Sequence, residues 1–203
     1  MKRGAALLHS ISPALHHSNT LLFPFTGTPF PPMLKPVKSK ALLAGAARFA
    51  VVASQYNPRY VNAMLAAARS ELKRAGVRNL LVFRVPGAFE IPTIAARLAA
   101  ASSTPRDTTL HAPRSTLHAP LDAIICLGVI FQGQTSHAQH IGWGVTHALA
   151  QIQVQHHIPV IHAVFVFEKE EHARVRCLGK KHNRGAEAAR TALEMARVIQ
   201  RLT

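Results

Sequence analysis

Phe49-Ala50-Val51-Val52-Ala53 is an unbroken apolar run closed by Ser54, the pattern of a strand covered on both faces in a parallel sheet. Working outward from it, Val61, Met64, Leu65, Ala68 and Leu72 recur at helical spacing, with Arg69, Lys73 and Arg74 on the opposite side, which predicts an amphipathic helix. Gly76 suits its C-terminal cap. Leu80 to Val85 reads as a second strand stopped by Pro86-Gly87. Ile91, Ile94, Ala95 and Leu98 then open a second helix, with Pro92 tolerated in its first turn.

The alternation continues. Ala123-Ile124-Ile125-Cys126-Leu127 predicts a third strand ending at Gly128, and Ile141, Val145, Ala148, Leu149 and Ile152 a helix face. Pro159 to Val166 predicts a fourth strand, Ala173 to Cys177 a short helix, and Gly185 to Leu202 a last helix with Ala189, Ala192, Leu193, Ala196 and Ile199 inward. Strands alternating with helices imply parallel βαβ units with right-handed crossovers. Ligands of such sheets bind at the carboxyl ends of the strands.

Two segments stand outside this pattern. Residues 1–40 contain no acid and carry six prolines from Pro13 to Pro36, a composition that cannot build a core and reads as disordered. A targeting extension and an upstream start ahead of Met33 are the competing accounts, the second or a plain tail being preferred. Residues 41–203 form the working domain. Within it, residues 101–120 hold Thr109-Leu110-His111-Ala112-Pro113 repeated as Thr116-Leu117-His118-Ala119-Pro120, an expected exposed loop insertion.

Composition narrows the function. The 203 residues fit one domain, and no apolar run is long enough to span a bilayer. The net charge of +15, from 24 basic and 9 acidic residues, invites a polyanion partner. Aromatics interleaved with the basic residues are sparse, so a nucleic-acid role is disfavoured. Two cysteines, Cys126 and Cys177, make no disulfide framework and no zinc spacing. The 13 histidines include adjacent pairs but not the i, i+4 pairs that share a metal.

The residues suited to chemistry follow the predicted strands. Tyr56, in Ser54-Gln55-Tyr56-Asn57-Pro58, can stack on a flat heterocycle, although an ordinary loop aromatic explains it equally well. Glu90, in Val85-Pro86-Gly87-Ala88-Phe89-Glu90-Ile91-Pro92, is placed either as a helix-start carboxylate or as an acceptor for ligand hydroxyls. The third cluster is Gly128-Val129-Ile130-Phe131-Gln132-Gly133-Gln134-Thr135-Ser136-His137. Its glycine, hydroxyls and backbone N–H groups at a helix start are the recipe for a phosphate cradle, and His137 is suited to moving protons near neutral pH. Arg176 and Arg184 are candidates for phosphate recognition.

Together and in this order, the Val-Pro-Gly-Ala-Phe-Glu-Ile-Pro block, the Gly-x-x-x-x-Gly-x-Thr-x-His block and Asn183-Arg184-Gly185-Ala186-Glu187-Ala188-Ala189 resemble the lumazine synthase family over roughly residues 45–202. The resemblance implies a flavodoxin-like three-layer sandwich with a four-stranded parallel sheet. It implies a homopentamer with active sites between neighbouring copies, in some relatives built into a shell of sixty subunits, and an association with riboflavin synthase. It implies a cytoplasmic enzyme that needs no metal or organic cofactor and joins two small-molecule substrates, 5-amino-6-(D-ribitylamino)uracil and 3,4-dihydroxy-2-butanone 4-phosphate. The competing reading is a flavin- or lumazine-binding relative with weak catalysis.

Carried onto this chain, the resemblance makes His137 the proton relay. Tyr56, Asn57, Ala88, Phe89, Glu90, Val129, Ile130 and Phe131 would meet the pyrimidine, joined by His162 from the neighbouring copy. Gln134, Thr135, Arg176 and Arg184 would hold the sugar phosphate. The chain departs from the family's pattern at His162, where Phe is common; at Phe131, where a smaller aliphatic is usual; at Gln132, where a basic residue is common; at Ala138, where an aromatic is common; and at Arg184, where Lys is usual.

Overall fold

The computed structural model describes residues 47–103 and 120–202. The tail expected over 1–40 and residues 104–119 of the expected insertion lie outside them. Ten elements follow in order: β1 (Arg48–Ser54), α1 (Pro58–Arg74), β2 (Asn79–Val85), α2 (Ile91–Ser103), β3 (Ala123–Phe131), α3 (His137–His156), β4 (Val160–Phe167), α4 (Glu170–Ala173), a π-helical turn (Arg174–Leu178) and α5 (Arg184–Gln200).

The four strands are all parallel, in the order β2-β1-β3-β4. Helices α1 and α5 pack on one face around Phe49, Val51, Ile125 and Leu127. Helices α2 and α3 pack on the other around Val52, Ile124 and Cys126. The alternation of these strand residues between two cores is the period-2 geometry of a strand buried on both sides. The chain runs outward from β1 to β2 and then back across to β3, so the strand order reverses between β1 and β3. This is the switch point where such sheets open a crevice.

The inward residues of the helices follow the expected stripes. Val61, Met64, Ala68 and Leu72 are buried on α1, and Ala189, Ala192, Leu193 and Ala196 on α5, whereas Leu65 and Ile199 sit half-buried at the margins. Gly76 lies beyond the end of α1 at φ 85°, where its N–H bonds to Lys73 O and that of Val77 to Leu72 O. Those paired bonds close the helix in a Schellman turn that favours glycine.

Four boundaries differ from the sequence expectation. β3 does not end at Gly128 but continues to Phe131, because Gly128 to Phe131 pair in register with Val164 to Phe167. The missing side chain at Gly128 makes room for Val164 and Ile91, since a Cβ there would meet Val164 at 3.0 Å. α2 runs into the segment assigned to the insertion, to Ser103. The Ser103 hydroxyl donates to Ala99 O inside the helix and to His156 O beyond it. The short helix expected over Ala173 to Cys177 is instead α4 followed by the π-turn. The last helix begins at Arg184, capped by Asn183, and ends at Gln200.

Candidate functional site

Three loops converge at the carboxyl ends of β1, β2 and β3. The β1 loop is stitched to the β2 loop by Gln55 N–H to Val85 O at 2.8 Å and Tyr56 N–H to Pro86 O at 3.2 Å. It is stitched to β3 by the Asn57 side chain, whose Nδ2 donates to Val129 O at 2.8 Å. Asn57 is left-handed, at φ 55° and ψ 51°, a conformation asparagine tolerates better than most residues. Its own carbonyl accepts from Tyr60 and Val61 N–H. Asn57 therefore starts α1 and closes the switch-point crevice at once.

In the β2 loop, the Glu90 carboxylate accepts from Gly87 N–H at 2.8 Å. A Cβ on Gly87 would lie 2.7 Å from that carboxylate and 3.3 Å from the Tyr56 ring. Gly87 thus lets Tyr56 and Glu90 stand side by side. Tyr56 and Phe89 are 70% and 62% exposed, so their faces are open to a flat ligand. Ala88 is buried in the core on the α2 and α3 side of the sheet, and Phe89 reaches over α3 at Gly144. The sequence left Glu90 as a helix-start carboxylate or a ligand acceptor; its bond turns it back to Gly87, ahead of α2.

The third loop leads from β3 into α3, with His137 as the first helical residue. Gln132 shapes this loop: its Nε2 donates to Gly133 O at 3.1 Å and to Thr135 O at 2.7 Å. The Thr135 hydroxyl accepts from His137 N–H at 3.4 Å. Gln134, Thr135 and His137 are exposed. The first turn of α3 carries no acidic residue, so the positive end of a 20-residue helix faces solvent without a carboxylate, a favourable place for an anion.

The remaining candidates lie elsewhere in the chain. Val129 is buried and reaches the crevice through its carbonyl, while Ile130 packs toward α2 and α3. Phe131 turns to the opposite face, edge-on to Tyr60 with ring centroids 5.5 Å apart. His162 sits within β4, paired with Cys126, five residues before the Phe131–Phe167 pair, or roughly 16 Å along the strand. Its Nε2 lies 3.0 Å from the Thr146 hydroxyl. His162 keeps an exposed flank, and partial desolvation of its ring beside α3 lowers its pKa.

Thr146 and Gly142 face β4, the latter against Val166, whereas Gly144 between them faces Phe89. Helical periodicity puts those two flanks on opposite sides of α3, so α3 separates His162 from Phe89. Arg176, on the π-turn, is on the other layer from α3, beside Cys177 in the core under α1 and α5. Arg184 forms an ion pair with Glu187 and places its guanidinium 5.7 Å over the Phe165 ring. It lines, with His162, Phe165 and Thr191, a groove of about 440 Å³ along the open side of β4. One chain thus carries two separate sets: Tyr56, Phe89, Glu90 and the Gln134-to-His137 loop at the crevice, and His162 with Arg184 at the β4 groove.

Sequence reasoning gave no role to Gln132, Thr146 or Asn183. Gln132 carried a signal only as a departure from the family pattern. Thr146 carried none, because its partner is 16 residues away and meets it only through the packing of α3 on β4. Among the described residues, no three His, Cys, Asp or Glu side chains gather as a metal site would need, and no helix is long and apolar enough to cross a membrane.

The family model described as 6,7-dimethyl-8-ribityllumazine synthase matches residues 46–200. A 6,7-dimethyl-8-ribityllumazine synthase of Stenotrophomonas maltophilia (strain R551-3) is 37% identical over 158 residues, 77% of this chain and 91% of the relative. One of Xanthomonas oryzae pv. oryzae (strain PXO99A) is 35% identical over 158 residues, 77% of this chain and 92% of the relative.

Proposed function

Since the chain belongs to the 6,7-dimethyl-8-ribityllumazine synthase family, we propose that its crevice and its β4 groove are two halves of one active site, completed between neighbouring copies. The activity is that of the family, a step of riboflavin biosynthesis. The amine of 5-amino-6-(D-ribitylamino)uracil attacks the ketone of 3,4-dihydroxy-2-butanone 4-phosphate and water leaves as the imine forms. Phosphate is then eliminated, and ring closure with loss of a second water yields 6,7-dimethyl-8-ribityllumazine.

The pyrimidine stacks against Tyr56 and Phe89, over Ala88, with backbone from Val129 to Phe131 along its edge and ribityl hydroxyls donating to Glu90. The phosphate lies on Gln134 and Thr135 at the amino end of α3. His137, one helical step away, takes and returns the protons of imine formation and ring closure. His162 of a neighbouring copy closes the pyrimidine pocket, and Arg176 and Arg184 of that copy bring positive charge to the phosphate. Holding two substrates in reacting geometry supplies much of the rate.

The observation that carries this reading is the joining of the Tyr56, Glu90 and His137 loops at the switch point, through the Asn57 bond to Val129 O and the Gln55 and Tyr56 N–H bonds to Val85 O and Pro86 O. The crevice and the β4 groove lie on different sides of α3. Association through two unlike patches is head to tail and forms a ring where the rotation closes, the arrangement of a homopentamer, which leaves room for a shell of sixty. A cytoplasmic location and association with riboflavin synthase complete the proposal.

The test is the appearance of lumazine fluorescence from the two purified substrates. His137→Ala is expected to slow turnover roughly 10²-fold or more while leaving pyrimidine binding intact. A wild-type protein that binds the pyrimidine normally but forms no product would leave only the binding role. Mass in solution distinguishes five subunits from sixty.

A further inference from the structure

The arginine assigned above to the phosphate stands on an unusual piece of backbone. Arg176 is the third residue of the π-turn Arg174–Leu178. Single π-turns are rare and are found mostly where function needs a shifted side chain. Ala173 and Cys177 are fully buried and Leu178 packs on the same core, whereas Val175 is exposed and Arg176, directly ahead of the buried Cys177, is half-exposed.

Two further contacts hold the turn. Gly179 follows it so closely that a Cβ there would sit 2.5 Å from Val175 O. Asn183, 7% exposed, reaches back across the intervening loop, and its Nδ2 donates to Cys177 O. The same side chain turns its Oδ1 to the other element, accepting from Gly185 N–H at 2.9 Å and Ala186 N–H at 3.4 Å to cap α5. On the far side, the Tyr60 hydroxyl donates to Glu170 at the start of α4.

We propose that Asn183 is a positioning residue for the phosphorylated substrate: by holding Cys177 O it fixes the π-turn and thereby the direction of the Arg176 guanidinium. This rests on Arg176 binding phosphate. The two ends of the Asn183 amide have separable duties. The oxygen caps α5, as a serine or aspartate oxygen would equally well. The nitrogen is the donor to Cys177 O; an ionised aspartate has no such donor, and a serine hydroxyl, one bond shorter and a single atom engaged as the cap, does not take the place of the Nδ2. Arg176 precedes the anchored residue directly, so release of the Cys177 carbonyl lets the turn relax toward an ordinary α-helical or open end and swings the guanidinium.

The experiment compares Asn183→Asp, Asn183→Ser and Arg176→Ala with the wild-type assembly, measuring melting temperature and separate KM values for the two substrates. Asn183→Asp and Asn183→Ser are expected to lower the melting temperature modestly, because the Cys177 carbonyl loses its donor, to keep the pyrimidine KM, and to raise the KM for 3,4-dihydroxy-2-butanone 4-phosphate roughly fivefold, part of the effect of misplacing a substrate-holding group. Arg176→Ala is expected to raise that KM by more. Both Asn183 variants with an unchanged sugar-phosphate KM, beside an Arg176→Ala that raises it, would overturn the proposal and spare the Arg176 reading. An equal rise in both KM values would reduce Asn183 to a structural cap. An Arg176→Ala with no effect would overturn the reading of Arg176 itself, and this inference with it.

Discussion

Gly185 in the first turn of α5 lies against the backbone of Met64 in α1 so closely that a Cβ on it would fall 1.9 Å from the Met64 carbonyl oxygen. The obstacle is backbone, which cannot rotate aside as a side chain can. The two helices cross here over a core of Met64, Ala189 and Leu193. Gly185→Ala must push the helices apart or unwind the start of α5. The expected loss is roughly 3 kcal/mol, seen as a melting temperature lowered by about 6–12 °C in a domain of this size. An unchanged melting temperature would mean the crossing is looser than this geometry.

Gly87 sets a different constraint, on the site rather than on the fold. Its missing side chain leaves space for the Glu90 carboxylate and the Tyr56 ring, and φ there lies outside the left-handed region, so alanine fits the backbone. Gly87→Ala is expected to fold normally, displace Glu90 from the Gly87 N–H, and raise the pyrimidine KM about tenfold, the worth of one hydrogen bond to a charged group. The KM for the sugar phosphate should stay put. A rise in both, or in neither, would separate Glu90 from pyrimidine binding.

The layered fold was legible in the sequence because the central strands β1 and β3 are buried on both faces and each helix on one, and those patterns survive as apolar runs and helical stripes, while the edge strands β2 and β4 are only partly covered. Gly128 misled for a physical reason. A glycine reads as a strand end, yet here the absent side chain admits Val164 and Ile91 while the ladder continues to Phe131. Ser103 misled likewise: small polar residues suggest a loop, but its hydroxyl bonds back to Ala99 O within α2. Of the site, Glu90 and His137 could be placed by their positions after strands. The division of roles at Asn183, the brace from Gln132 and the Thr146–His162 pair could not. Each depends on how a side chain meets a group that local periodicity does not describe.

That Thr146–His162 pair gives the last expectation, in pH. Partial desolvation of its ring, which keeps an exposed flank, lowers the folded-state pKa of His162 below the usual imidazole value, so the unfolded chain binds a proton more readily than the folded one. The neutral ring's contribution is therefore fully present above the unfolded value of about 6.5 and is lost as pH falls from there toward the folded pKa. Below both values the difference stops growing. His162→Phe removes this term and keeps an aromatic ring over α3. Its urea midpoint relative to wild type should rise as the pH is lowered from about 8 to about 5.5, whatever the absolute order of the two at pH 8. A constant difference across that range would mean that His162 is as free to take a proton in the folded protein as in the unfolded chain.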